Sequence, residues 1–287
     1  MDSQLTLRSP KVARPWAFKN LPPFHPVAVK LLKLTTDDGV PISRVQQVLR
    51  TDVAFSAEVL RLANSALLGS RNEVRSVSHA VMMLGLERLK ALSMTIAMRD
   101  FLASSKGQNE MRLCWGYNLA TAIIAEWLAG FLPVDPDACY TAGLLHDVGR
   151  LAILRVFPEG YTKMLSAIEE YNFDLLRCEK ALFDIDHCEA GGWLMEQWDF
   201  PEELRQVATT HHQEPTASTP DLVKVVYIAW QMADMLGYSP MATRTDASIE
   251  EITATLPDKV RQGIFSKLDE LIEQVSIKVK ACDPASI

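Results

Sequence analysis

The sequence predicts an all-α protein, and three observations support this class. Apolar residues recur at spacings of three and four along almost every segment, which is the period of a helix that buries one face. No convincing strand alternation or hairpin turn interrupts this pattern. Hydrophobic residues make up 48% of the 287 residues and charged residues 23%, so the chain can bury a large core.

The N-terminal half divides into short helices whose starts are marked by proline or by capping residues. Pro26 and Pro41 stand where first-turn prolines occur. Asp52 is expected to cap the helix VAFSAEVLRLANSALL, and Ser78 to cap a short helix that ends near Gly85. The segment LERLKALSMTIAMRDFL then continues as another helix.

The second half, after a connector at residues 106–109, consists of longer helical segments. MRLCWGYNLATAIIAEWLAGFL ends at Pro133, and PDACYTAGLLHDVGRLAILRVF begins at Pro136 and is expected to be one helix. Four segments follow with helical periods: PEGYTKMLSAIEEY, DLLRCEKALFD, DHCEAGGWLMEQW and PEELRQVATTHH. A polar loop at residues 213–220 precedes the apolar helix DLVKVVYIAWQMADML.

The last predicted helix, residues 258–279, places Ile264, Leu268, Leu271 and Val275 on one apolar stripe. Such a stripe packs on the body of its own domain or forms a helix-mediated homodimer. The sequence leaves both interpretations open.

Composition excludes several classes of partner. The net charge is −7, and no cluster of Lys and Arg is dense enough for a nucleic-acid-binding stripe. The basic residues of the N-terminal arm are separated by prolines. No apolar stretch is long enough to span a membrane, and the first residues lack a signal-peptide core. Five cysteines without a CxxC pair are typical of reduced thiols, so we expect a cytoplasmic protein.

The pair His146-Asp147, within GLLHDVGRL, is the main candidate for chemistry. Imidazole and carboxylate suit divalent transition metals, which activate water for attack on phosphoesters. Such a site needs at least three or four converging ligands, and His187, His211 and His212 are the further candidates. The other interpretation is a hydrogen-bonded pair inside a helix, retained for packing.

Several segments, in order, resemble the HDOD domain family. They are LPPFHPVAVKLLKL, ISRVQQVLRTDVAFSAEVLRLANSA, VRSVSHAVMMLGLERLKALSM and GLLHDVGRL. The resemblance covers about residues 20–215 and implies a compact multi-helix HD-like bundle with an N-terminal helical subdomain packed against it. The implied organisation is an arm (1–19), an HDOD domain (20–215) whose halves meet near residue 107, and C-terminal helices (216–287) that complete the bundle.

The resemblance also allows the ligand set to be compared with that of HD phosphohydrolases, which use an early His, the His-Asp pair and a late Asp. Tyr117, in WGYN, stands at the position of the early His, and Trp230, in YIAWQMA, at that of the late Asp. Asp234 lies one helical turn after Trp230. A neutral phenol and an indole are poor ligands. The family's own members generally have degenerate metal sites and act as regulators in bacterial signalling.

One stretch, DHCEAGGWLMEQWDFPEELRQVATTHHQ, is similar to part of the HD-GYP phosphodiesterases, where histidines at the positions of His187, His211 and His212 complete a metal centre. The segment that characterises those enzymes is replaced by QEPTASTPDL. The resemblance implies that no cofactor is required. A residual Fe, Mn or Zn ion on His146, Asp147 and these histidines stays an alternative.

The sequence therefore predicts no catalytic residue and a regulatory protein that binds a protein partner of a signalling pathway or a small nucleotide. The alternative is a metal-dependent phosphohydrolase or cyclic-dinucleotide phosphodiesterase with a reduced metal site. Asn64 and Ser65 either line the cleft or bond to backbone at a helix end, and Trp193 and Trp198 are expected in the core. The cleft candidates are Asn64, Ser65, Tyr117, His146, Asp147 and Trp230.

Overall fold

Every long element of the computed structural model is an α-helix, and no strand occurs among the residues that it describes, namely 18–19, 21–34, 41–65, 67, 74–103, 108–240 and 246–282. None of the helices in these ranges combines the length and apolarity needed to cross a membrane. The helices are α1 (Pro26–Leu32), α2 (Ile42–Leu49), α3 (Val53–Ala63), α4 (Val77–Ala103), α5 (Gln108–Ala129), α6 (Pro136–Leu145), α7 (Val148–Val156), α8 (Pro158–Tyr171), α9 (Leu175–Phe183), α10 (His187–Gln197), α11 (Glu202–Thr210), α12 (Asp221–Met235), α13 (Ile249–Ile252), α14 (Asp258–Ser266) and α15 (Leu268–Ala281).

Among the predicted helix starts, Pro26 is the first residue of α1, whereas Pro41 precedes α2 as its N-cap residue and does not lie in its first turn. Asp52 accepts a hydrogen bond from the Phe55 N–H at 2.9 Å, as predicted. The prediction for Ser78 is wrong, because α4 begins at Val77 and the hydroxyl of Ser76 accepts from the backbone N–H three residues later. Gly85 interrupts α4 with a φ of 78°, a conformation that costs glycine little, so the predicted break is confirmed.

The segment predicted as one helix from Pro136 breaks at its centre. Helix α6 ends at Leu145, and α7 begins at Val148. Asp147 between them has φ −111° and ψ 26°, outside the helical range. The interpretation of His146-Asp147 as a pair inside a helix is therefore wrong, because both residues lie at the junction of two helices.

Helix α5 is the centre of the larger half of the bundle, with α6, α12 and α15 packed around it. The Trp115 indole on α5 donates to the Cys282 carbonyl at 3.0 Å, which anchors the end of α15. The helix predicted for residues 258–279 is divided at Lys267, whose φ is −125°. Its stripe nevertheless faces inward, since Ile264, Leu271 and Val275 are fully buried.

The N-terminal segment joins the second half through aromatic contacts. Phe24 packs on Trp198 and Phe200, with ring centroids 5.0 and 5.3 Å apart. Phe18 packs on Trp193 at 5.9 Å. The expected packing role of the two tryptophans is confirmed, and the two halves share one hydrophobic core.

The approach of α7 to α10 generates a first prediction. A Cβ at Gly149 would overlap the carbonyl oxygen of His187, and backbone cannot yield as a flexible side chain does. Gly149→Ala should therefore lower the free energy of unfolding by about 1–3 kcal/mol. Urea unfolding measures this value.

The matched control is Gly116→Ala on α5. A Cβ there meets only Val279, at 3.9 Å, so the change should be neutral or stabilise the protein by up to about 1 kcal/mol. Equal stabilities of the two variants would contradict the assignment of Gly149 as a close-packing position.

Candidate metal centre

Four helices bring the predicted histidines together in the interior. His146 and Asp147 lie at the α6–α7 junction, His187 begins α10, and His211 and His212 follow α11. The first four side chains belong to residues that are 2% exposed or less, whereas His212 is half-buried. The ring of His211 lies 5.1 Å from that of His146, 5.3 Å from that of His187 and 4.4 Å from that of His212.

Hydrogen bonds orient three of the four imidazoles in the same way. The Nδ1 atoms of His146 and His211 lie 2.7 and 3.1 Å from the carbonyl oxygens three residues earlier. Nδ1 of His187 lies 2.6 Å from Oε2 of Glu179. Each contact places a proton on Nδ1 and leaves Nε2 to face the other rings, which is how histidine ligands of metals are held.

Polar atoms inside the cluster are left without hydrogen bonds. They are Nε2 of His146, Nε2 of His211 and both carboxylate oxygens of Asp147, all buried. One potential ligand atom from each of His187, His211 and His212 lies within 4.8 Å of the others. Buried acceptors without partners indicate an ion or water that the protein is built to hold. The set of nitrogen and oxygen atoms fits a divalent transition metal.

Electrostatics divide the imidazoles into two kinds. Burial lowers the pKa of His146 to about 4 and that of His212 to about 2, and that of His211 well below its usual value, so these rings are neutral at pH 7. Burial also opposes the charge of His187, but the carboxylates of Glu179 and Asp147 outweigh it and raise the pKa of His187 well above its usual value.

A charged His187 explains the contact between its Nε2 and that of His212, which are 2.9 Å apart. His187 donates a proton from Nε2, and the neutral His212 accepts it. The proton therefore occupies the space between two imidazoles that a metal ion would otherwise join. Metal binding at this point would require His187 to release that proton.

Glu179 on α9 is a residue that the sequence interpretation missed. It is fully buried and accepts from the His187 N–H at 2.8 Å, from His187 Nδ1 and from the Tyr161 hydroxyl. Burial raises the pKa of Glu179, but His187, Arg150 and Tyr161 together lower it below its usual value. The sequence contained a signal, because Glu179 interrupts the apolar row Leu175–Phe183 at a spacing of four.

Arg150 is the second residue missed by the sequence interpretation. It lies one turn after Asp147, is 3% exposed, and pairs through Nε with Asp147 Oδ2 at 2.5 Å. The atoms are close enough for an ion pair, although neither carboxylate oxygen has a partner aligned for a hydrogen bond. The guanidinium also lies over the ring of Tyr117, 6.0 Å from its centroid. Asp147 is therefore neutralised in part by a fixed cation.

Tyr117 and Trp230 both lie beside the histidines. The ring of Tyr117 on α5 is 5.5 Å from that of His146, and burial raises the pKa of its hydroxyl well above the usual value. The Trp230 indole on α12 donates to the His211 carbonyl at 2.7 Å. Asp234, one turn later, is buried on the same helix. The two aromatic side chains thus contribute packing and one hydrogen-bond donor beside the histidines.

Asn64 and Ser65 use their polar atoms at the end of α3. Asn64 bonds to the carbonyls of Leu60 and Val74 and accepts from the Val74 N–H at 2.7 Å. The Ser65 hydroxyl donates to the Leu62 carbonyl at 2.7 Å. No hydrogen bond within the described part of the chain joins these two side chains to the histidines. The arrangement is that of a helix C-terminal turn.

A surface groove reaches the cluster at His212. It has a volume of about 740 Å³, lies between α10 and α11, and has Trp193 and Leu176 as apolar walls. Arg205 is the basic residue that lines it. The acidic lining residues are Asp186, Glu189, Glu196 and Glu202.

The sequence profile of the HDOD domain matches residues 21–214. The chain belongs to the HDOD domain family. This result confirms the family inferred from the motifs, and the HD-like helical fold agrees with it. The family is related to the HD phosphohydrolases.

Three proteins are similar to this HDOD chain in sequence or in fold. It is 26% identical over 201 residues to an uncharacterized protein of Treponema pallidum (strain Nichols), and spans 39% of the length of that relative. An HDOD domain protein of unknown function from Geobacter sulfurreducens has a TM-score of 0.74 at 24% identity, with 89% of this chain and 92% of that chain covered. A candidate phosphohydrolase from Shewanella amazonensis SB2B has a TM-score of 0.70 at 25% identity, with 92% and 99% covered.

The lowered pKa values of His146, His211 and His212 predict how the stability of the metal-free protein depends on pH. Between about pH 4 and 6.5 the unfolded chain binds protons that the folded chain excludes, so stability rises with pH and is complete above the unfolded pKa of about 6.5. His187 acts in the opposite direction, but only above that pKa, because its folded pKa is raised.

Urea unfolding of chelator-treated protein from pH 5 to 6.5 should show a slope of at least about 1.4 kcal/mol per pH unit, the value for one proton. His211→Gln should reduce this slope. His79→Gln, a change on α4 in the N-terminal half, serves as the control and should preserve it. A slope that is unchanged by His211→Gln would contradict the protonation scheme.

Proposed function

We propose that this HDOD protein is a regulatory module that acts by binding and that its histidine cluster does not catalyse phosphoester hydrolysis. The observation that carries this proposal is burial. His146, Asp147, His187 and His211 are each exposed by 2% or less, so a phosphoester cannot contact them in this conformation. Tyr117 and Trp230 supply no ligand at the two positions where the HD enzymes have one.

A protein partner is favoured over a small nucleotide by the charge of the groove at His212. Four carboxylates and one arginine line that groove, so an anionic nucleotide would be repelled. A solved structure of similar fold, with a TM-score of 0.71 at 21% identity, is a candidate signal transduction protein from Marinobacter aquaeolei VT8. We place this chain in a bacterial signalling pathway, in the cytoplasm.

The organisation into an arm (1–19), an HDOD domain (20–215) and completing helices (216–287) is part of the same proposal. Its support is the inward-facing stripe of α14 and α15 and the packing of α12 and α15 on α5. A homodimer through the C-terminal helix would use the outer face of α15, where Ile272 and Ile277 are 41% and 50% exposed.

A divalent metal ion fits the cluster as a structural or regulatory ligand. His187, His211 and His212 would hold it through Nε2, with His146 and Asp147 as neighbouring ligands. When bound, Fe, Mn or Zn supplies a Lewis acid that can polarise water. The residues of the chain would contribute orientation, through Glu179 behind His187 and through backbone carbonyls behind His146 and His211.

A second function, metal-dependent phosphohydrolase or cyclic-dinucleotide phosphodiesterase with a reduced site, has one observation in its favour. Three imidazoles of the cluster are oriented by Nδ1 contacts, and the buried Nε2 atoms of His146 and His211 lack partners. The candidate phosphohydrolase from Shewanella amazonensis SB2B shares the fold.

An assay of the full chain separates the two functions. The protein is loaded in turn with Mn²⁺, Fe²⁺ and Zn²⁺ and incubated with bis(p-nitrophenyl) phosphate and with a cyclic dinucleotide. We expect no hydrolysis above that of the chelator-treated protein, because all members of the cluster except His212 are closed to substrate. Hydrolysis that disappears in His146→Ala and persists in His79→Ala would overturn the regulatory proposal.

Metal binding itself predicts a change in stability. Zn²⁺ or Mn²⁺ at about 100 times its Kd should stabilise the folded chain by about 2.7 kcal/mol, because the ligands converge only in the folded state. Thermal unfolding with and without the metal measures this gain, which should be lost in His211→Ala. The control His79→Ala should retain it, and an equal gain in both variants would show that the metal binds elsewhere.

A further inference from the structure

Arg150 brings a permanent positive charge to the carboxylate of the histidine cluster. Its Nε atom lies 2.5 Å from Oδ2 of Asp147, and only 3% of the arginine is exposed. The other oxygen of the same carboxylate, Oδ1, lies 3.7 Å from Nε2 of His187. Because arginine stays protonated in proteins, one oxygen of Asp147 always faces a cation, and only the other faces the imidazoles.

The stability of α7 does not account for this ion pair. Arg150 lies in the first turn of α7, where the helix dipole disfavours a positive charge. Asp147 occupies the N-cap position of the same helix, but its side chain makes no capping hydrogen bond. Neither side chain thus stabilises the start of α7 in the usual way, so we assign the pair to the cluster.

The neighbouring side chains hold the guanidinium of Arg150 in place. It lies over the ring of Tyr117, 6.0 Å from the centroid. Its charge also acts on Glu179, the buried carboxylate that contacts His187. Moving the arginine away would leave Asp147 as a buried charge without its cation, which is strongly unfavourable. A metal ion would therefore compete poorly with Arg150 for Oδ2 of Asp147.

The charges around the histidines suit one divalent ion and disfavour a second. Asp147 and Glu179 are the two carboxylates that lie against His187. With all imidazoles neutral, these two carboxylates and the guanidinium of Arg150 leave a net charge of −1. One divalent ion brings the charge to +1, and a second would bring it to +3. Charge without compensation in the interior is costly, so the second ion is disfavoured.

We propose that Arg150 takes the place of a second metal ion and restricts the histidine cluster to a single divalent ion. The inference rests on the proposed function, in which this cluster holds a metal ion. Two-metal phosphoesterases use a pair of ions to stabilise both the attacking and the leaving oxygen. A cluster that Arg150 limits to one ion lacks this pair, which agrees with an ion that has a structural or regulatory role.

The number of ions per chain tests the proposal without an activity assay. The chelator-treated full chain is loaded with excess Mn²⁺, separated from unbound ions by gel filtration and analysed by atomic spectrometry. We expect one ion per chain in the wild type. Arg150→Gln removes the charge and frees Oδ2 of Asp147, so this variant should bind one more ion per chain than the wild type. Arg150→Lys keeps a cation and should bind the same number as the wild type.

The matched control is Arg155→Gln, which removes a cation from the same helix. The guanidinium of Arg155 lies over the ring of Phe101, 5.2 Å from its centroid, so the number of ions should not change. Circular dichroism shows whether each variant is folded. Arg150→Leu, also neutral, is the second variant if Arg150→Gln does not fold, and it should bind the same additional ion. Electron paramagnetic resonance of the Mn²⁺-loaded wild type needs no variant and should show isolated ions.

Equal numbers of ions in the wild type and in Arg150→Gln would overturn the proposal, and so would a spin-coupled pair of Mn²⁺ ions in the wild type. An additional ion in Arg150→Lys would also contradict it, because the positive charge would then not be what excludes the ion. If the wild type binds no ion and Arg150→Gln binds one, the metal site of the proposed function fails, whereas the exclusion of an ion by Arg150 is supported.

Discussion

The contact between α7 and α10 is the constraint on which the candidate site depends. Gly149 lets the backbone of α7 meet that of α10 beside His187, and no other residue type would fit. This contact sets His187 Nε2 3.7 Å from Asp147 Oδ1. The close approach of α7 to α10 follows the break at His146-Asp147, where α6 ends and α7 begins as a separate helix. The site is thus a product of helix packing as much as of ligand residues.

Burial of so many polar groups would be unfavourable without compensation. Glu179 offsets the desolvation of His187 through a hydrogen bond and the opposite charge, and Arg150 offsets that of Asp147 through an ion pair. Backbone carbonyls accept hydrogen bonds from His146 and His211. The carboxylate oxygens of Asp147 and two imidazole nitrogens remain without hydrogen bonds. The cluster is therefore supported by polar neighbours and by one buried cation, while some of its potential ligand atoms have no hydrogen-bond partner among the described residues.

The packing of α10 against α11 also shapes the surface groove at His212. Helices α10 and α11 form both the inner wall that carries His187 and His211 and the outer groove at His212. Anything bound in the groove would therefore contact the two helices next to which His187 and His211 lie. Such an arrangement would link recognition at the surface to the buried cluster through one pair of helices.

The sequence by itself determined the helical class, the family, and the identity of the five histidine and aspartate residues that meet, because helical periodicity and ordered motifs are local properties of the chain. The resemblance also led to the prediction, which no observation here tests, that Tyr117 and Trp230 stand at two ligand positions of the HD enzymes. Only the tertiary structure decided that His146-Asp147 lies between two helices, that Ser76 caps α4, and that Glu179 and Arg150 support the cluster. It also assigned Asn64 and Ser65 to a helix end. These features depend on which helices approach one another and how closely, and long-range packing is not encoded in any local pattern.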